Sequence, residues 1–121
     1  MLEIDVTTNS IYLTKGDTGV INISLTGDTT GYSYLHFYVR NANQQDNVKI
    51  HVSNDLTNLT EEEQLQGRVE GSGANWVLYI NPQATAELKR GKYVYDFKLT
   101  GDGVVTTFVG GGKDKTEFWV T

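Results

Sequence analysis

The stretch GKYVYDFKLTGDGVVTTFVGG, residues 91–111, constrains the fold more than any other part of the chain. Tyr93, Tyr95, Phe97 and Leu99 fall on one face of an extended backbone, while Lys92, Asp96 and Lys98 fall on the other. That period of two belongs to an antiparallel strand half-buried against a core. Asp102-Gly103 follows as a two-residue loop whose mirror-image turn matches strand twist. With that loop, Leu99 faces Thr106 and Phe97 faces Phe108, a cross-strand aromatic pair on the core side. One residue of slip would instead turn Val105, Thr107 and Val109 inward.

Similar short runs recur along the chain: Leu2 to Thr7, Ser10 to Leu13, Val20 to Thr26, Tyr34 to Arg40, Val48 to Ser53, Trp76 to Ile80, Val104 to Val109 and Thr116 to Thr121. Turn residues such as Lys15-Gly16-Asp17 and Thr26-Gly27-Asp28 separate them. Thirteen glycines against one proline suit many turns between hydrogen-bonded strands. The reading is an all-β protein, an antiparallel immunoglobulin-like β-sandwich of about seven to nine short strands with one or two short helical turns in its loops. Residues 1–121 are expected to form a single domain with one core.

The helical turns have recognisable starts. Thr60 with Glu63 three residues later is a capping-box pattern. Asn81 is expected to cap a turn that begins at Pro82 and runs to about Leu88. The junction Leu88-Lys89-Arg90-Gly91-Lys92-Tyr93 leads from there into the strongest strand. Leu88, Gly91 and Tyr93 are read as a structural corner, with the Tyr93 hydroxyl folding back onto upstream backbone.

Little in the chain points to chemistry. The formal net charge is -5, and the ten basic residues are scattered, so nucleic acid is an unsuitable partner. No stretch approaches the roughly 18 apolar residues of a membrane helix, and the N-terminal MLEIDVTTNS has no leader pattern, so neither membrane insertion nor export is expected. There is no cysteine. His36 and His51 fall on the polar phase of their strands and are expected at the strand surface. Asp17, Asp28, Asp46, Asp55 and Asp102 sit in expected loops, where aspartate is ordinary turn chemistry rather than a cation site. No catalytic, metal or cofactor pattern is present, and an enzyme is not expected.

Aromatic residues on the outward phase are more informative. With Leu35, Phe37 and Val39 inward, Tyr34 and Tyr38 point out beside Arg40; with Phe118 and Val120 inward, Trp119 points out. Tyr12 and Tyr79 fall on the outer phase by the same argument. Tyr34, Tyr38, Arg40, Tyr79 and Trp119 form the candidate interface. Such residues serve either protein contact or stacking on a sugar ring, and arginine with tyrosine favours protein. The plainer alternative is that loops or neighbouring copies cover both faces of some strands.

Two blocks carry a resemblance. The first is Leu13-Thr14-Lys15-Gly16-Asp17-Thr18-Gly19-Val20-Ile21-Asn22-Ile23. The second is Leu88-Lys89-Arg90-Gly91-Lys92-Tyr93-Val94-Tyr95-Asp96-Phe97-Lys98-Leu99, followed by Asp102-Gly103-Val104-Val105-Thr106-Thr107 and a close at Phe118-Trp119-Val120. Together they resemble the N-terminal β-sandwich domain of the baseplate upper protein family of tailed bacteriophages. That family has a GDT turn opening its first long hairpin, and a GxYxYDxxL strand before a threonine-rich strand and a closing F-x-V. The resemblance implies a non-enzymatic virion structural protein, made in the bacterial host cytoplasm, whose partners are other virion proteins and further copies of itself. The family pattern continues into a helical or receptor-binding extension that these residues do not contain, so a small tail, neck or head-decoration protein fits as well. A carbohydrate-binding sandwich is the alternative.

Overall fold

In the computed structural model, residues 2–5, 10–25, 31–44, 46–101, 104–109 and 116–121 are described, with backbone alone for residues 3–5, 104 and 106–109. Their strands are β1 (Leu2–Asp5), β2 (Ser10–Leu13), β3 (Gly19–Ser24), β4 (Tyr32–Asn41), β5 (Val48–Ser53), β6 (Gly67–Ser72), β7 (Asn75–Ile80), β8 (Gly91–Gly101), β9 (Val104–Val109) and β10 (Thr116–Val120). The larger sheet runs β1-β2-β10-β8-β4-β5, with β9 also on β8, and the smaller runs β3-β7-β6. The result is an all-β sandwich.

Ten strands form, one beyond the expected seven to nine, and the added one is β6. β8 gives one edge to β4 along Tyr93–Gly101. Its other edge is shared: β9 pairs with Phe97–Gly101 and β10 with Gly91–Tyr95. β9 and β10 are therefore two halves of one edge, laid end to end. β10 then pairs with β2 in parallel, Trp119 beside Tyr12, an exception to the antiparallel pattern.

The hairpin register follows the two-residue loop at first, with Leu99 opposite Thr106 and Lys98 opposite Thr107. A shift between Phe97 and Lys98 then places Val109, not Phe108, across from Phe97. The expected Phe97–Phe108 pair is thus replaced, because one extra residue on β9 moves the later partners along. Asp102, Gly103 and the Phe108 side chain lie outside the described residues. Phe97 finds its aromatic partner on β4 instead, with the Phe37 ring centroid 4.9 Å away.

β6 was not legible as a strand. Gly67, Glu70 and Gly71 are poor strand formers, and Val69 is the sole large apolar residue between Gly67 and Ser72. Its pairing with β7 supplies what propensity does not, Val69 lying opposite Leu78. Gly67 is required there, since a Cβ at that position would overlap the Tyr79 carbonyl oxygen.

Between the sheets, Leu35, Phe37, Val39, Ile50, Val52, Leu78, Ile80 and Phe118 have no more than 1 % exposure. Each such side chain stabilises the fold by about 1.5 to 3 kcal/mol relative to exposure. The corner holds the start of β8: the Tyr93 hydroxyl donates to the Lys89 carbonyl at 2.8 Å, Leu88 packs on the core, and Gly91 has φ +143°.

Two short helices lie in the connections, α1 (Glu61–Gln64) and α2 (Pro82–Ala86). At α1 both bonds of the Thr60–Glu63 capping box are made. At α2 the expected side-chain cap is not made, and the helix ends before Leu88. Asn81 instead donates its amide to the Leu65 carbonyl at 3.1 Å, tying α2 to the end of α1. No helix among the described residues is long and apolar enough to cross a membrane.

Candidate interaction face

The outward face of the larger sheet carries most of the polar and aromatic chemistry. On β4 the inward positions Leu35, Phe37 and Val39 leave Tyr34, His36, Tyr38 and Arg40 outward. Register brings Asp96 of β8 and His51 of β5 to either side of Tyr38, while Lys98 flanks His36. These residues form one cluster.

Tyr38 stacks on His51 with ring centroids 4.3 Å apart, and the Arg40 guanidinium lies 4.8 Å from the Tyr38 ring centre. Arg40 Nε donates to Asp96 Oδ1 at 3.2 Å, and Lys98 Nζ approaches the other carboxylate oxygen at 3.9 Å. Asp96 lies on the polar phase of β8 and is nevertheless buried, between Arg40 and Lys98. Burial raises the Tyr38 hydroxyl above its ordinary value, with Arg40 opposing.

The two histidines depart furthest from expectation. His36 and His51 are buried, at 5 % and 9 % exposure, rather than at the surface. Their cover is the chain between β5 and β6, which brings Glu63 of α1 against His51. His36 Nδ1 lies 3.0 Å from His51 Nε2, His36 Nε2 lies 3.1 Å from Thr100 Oγ1, and His51 Nδ1 lies 2.8 Å from Glu63 Oε2. Burial lowers the His36 value, and His51 beside it adds to the effect. Burial pushes the Glu63 carboxyl up, but bonds from the Thr60 N–H and His51 outweigh it and hold the group below its ordinary value. A groove of about 350 Å³ at His51 is lined also by Val48, Lys49, Thr60, Glu62, Glu63 and Gln66.

The same crossover closes open backbone. Gln66 Oε1 accepts the His51 N–H at 2.9 Å and its amide donates to the Lys49 carbonyl at 3.3 Å. Asn54 does the same for β4, accepting from Leu35 N–H at 2.9 Å and donating to the Ser33 carbonyl at 3.1 Å. Each carboxamide stands in for a missing strand. An edge so occupied is a poor template for another chain.

The five interface candidates divide into three places. Tyr34, Tyr38 and Arg40 share the outward phase of β4, with Tyr34 exposed and the other two partly covered. Trp119 is on the same face two strands away, stacked on Tyr12 with centroids 6.3 Å apart and planes at 15°. Lys92 Nζ and Glu117 Oε2 lie 3.6 Å apart beside it, and the Trp119 indole N–H donates to Glu117 Oε1 at 3.3 Å. Tyr79 is not part of this face; it sits on β7 of the smaller sheet under the Arg68 guanidinium, 3.8 Å above its ring.

His36, His51, Glu63, Asp96 and Thr100 were missed as a group. The signal was present in the β4–β5 hairpin, whose register sets Tyr38 beside His51, while the approach of Glu63 depends on a crossover that periodicity does not reveal. Asp55 is buried and accepts from Thr57 at 2.9 Å and Asn58 at 2.6 Å, which is turn chemistry. The Asn58 bond, aided by Thr57, lowers its carboxyl value against the effect of burial. Asp28 and Asp102 lie outside the described residues. Among the described residues no three histidine or carboxylate groups converge to hold a metal ion. No family model matches the chain, and no curated protein is similar enough in sequence to count as a relative.

Proposed function

We propose that this chain is a non-enzymatic structural subunit of a tailed-phage virion that works by docking the outward face of its larger sheet against further copies and other virion proteins. The observation that carries the reading is that Tyr12, Trp119, Tyr34, Tyr38 and Arg40 all share this face, the aromatic and arginine content of a protein contact. The phage setting, in tail, baseplate, neck or head decoration, rests on the sequence blocks around Gly16-Asp17-Thr18 and Gly91 to Leu99.

Acrylamide quenching tests the docking face, because Trp76 is 2 % exposed and Trp119 therefore supplies the quenchable signal. Quenching should weaken as protein concentration rises. Quenching independent of concentration, at concentrations where larger species form, would place the contact elsewhere.

The parallel Tyr12 and Trp119 rings favour a second reading, a platform for a sugar. Soluble glycans would then quench Trp119 fluorescence, and a flat response across a broad panel would remove that reading.

A further inference from the structure

The hydrogen bonds from Glu63 to Thr100 have a direction that chemistry dictates. A carboxylate only accepts, so His51 Nδ1 carries a proton. Neutral His51 then has a bare Nε2, which makes His36 Nδ1 the donor between the rings. His36 Nε2 is left bare and accepts from the Thr100 hydroxyl. Both neutral histidines are thereby held as Nδ1–H tautomers.

One added proton reverses two of these bonds without breaking the chain. It binds His36 Nε2, the Nδ1 proton of His36 passes to His51 Nε2, and the Thr100 hydroxyl turns to accept. The charge ends on His51, 2.8 Å from Glu63. A second proton would put two cations face to face at 3.0 Å.

We propose that His36, His51, Glu63 and Thr100 form a binding site for a single proton on the interaction face, and that loading it strengthens docking. The second half rests on the assembly reading above. Around the pair, Asp55 in the turn after β5 and Lys98 on β8 act on His36, Lys49 on β5 and Glu62 and Glu63 on α1 line the groove at His51, and Arg40 on β4 and Asp96 on β8 pair beside Tyr38, whose ring stacks on both histidines. Their three cations meet four carboxylates, so the empty site leaves one negative charge in excess and the loaded site leaves none. Approach of another acidic surface, such as a second copy with net charge -5, is then opposed less. Burial and a charged His51 disfavour charge on His36, with Asp55 opposing, consistent with one charge rather than two in the pair.

Nitrogen NMR of the two imidazoles in the wild-type chain reads the site directly. At pH 8 both rings should show protonated Nδ1 and bare Nε2. On acidification one proton should enter the pair, with His36 switching to Nε2–H while His51 becomes doubly protonated. Neutral Nε2–H tautomers at pH 8, or two independent titrations, would overturn the site. In Glu63→Gln the uptake midpoint should fall by about one pH unit or more, the usual effect of removing an adjacent opposite charge; an unchanged midpoint would also overturn it. Light scattering tests the consequence: wild-type association should tighten between pH 7.5 and 5.5 more than that of Glu63→Gln. Equal tightening would sever docking from the site. No association at any pH would remove the assembly reading, with the site still decided by the imidazole nitrogens.

Discussion

His36 Nδ1 and His51 Nε2 face each other at 3.0 Å inside the outward face of the larger sheet. Two histidines so placed hold one proton where the unfolded chain holds two. Because the His36 value lies below the ordinary 6.5, its contribution to stability is present above 6.5 and lost as pH falls through the lowered value. The unfolded state binds about one proton more in that window, so stability should fall by about 1.4 kcal/mol per pH unit. Denaturant titrations at half-unit pH steps below 6.5 check this, and a flat curve would contradict it. Glu63, lowered from 4.5, contributes above 4.5 and adds a further loss below it.

Tyr93→Phe removes one hydroxyl and nothing else. The Lys89 carbonyl then loses its 2.8 Å donor, and the cost should be about 1 to 3 kcal/mol. A denaturant midpoint equal to that of the parent would show that the corner does not depend on this bond.

Gln66→Ala removes both bonds that occupy the outer edge of β5. About 1 to 3 kcal/mol should be lost with two backbone groups left unpaired. Amide exchange at His51 should quicken more than at Ile50, whose N–H faces β4 on the other side. Equal rates would mean that water or another side chain replaces the carboxamide.

Gly67→Ala should be among the most destructive single changes, because the new methyl group meets the Tyr79 carbonyl oxygen rather than a side chain that could turn away. Thermal melting should show separation of β6 from β7 or loss of the folded state. A melting temperature within a degree or two of the parent would show that the β6–β7 approach is looser than described.

What was legible in the sequence was whatever repeats with a period of two and buries one face. β8 shows this plainly, as Tyr93, Tyr95, Phe97 and Leu99 are all buried. Ser10–Leu13, Val48–Ser53 and Val104–Val109 have the bounds that their apolar runs imply. Features that depend on tertiary pairing were not legible. β6 forms because Gly67 fits against β7, not because its residues prefer strands. The shift after Phe97 is a property of the β8–β9 pair, invisible in either strand alone. The histidines read as surface residues because alternation tells only which face a side chain takes. Whether that face is covered depends on where Glu63 and Gln66 land.

The solution mass of the purified protein tests most directly whether this is an assembling subunit. Size-exclusion chromatography with light scattering should cover about a hundredfold in concentration, since association follows mass action. A discrete closed oligomer that Trp119→Ala dissolves while the fold survives is the expected result. A strict monomer over the whole range, with and without acid, would contradict self-assembly through this face.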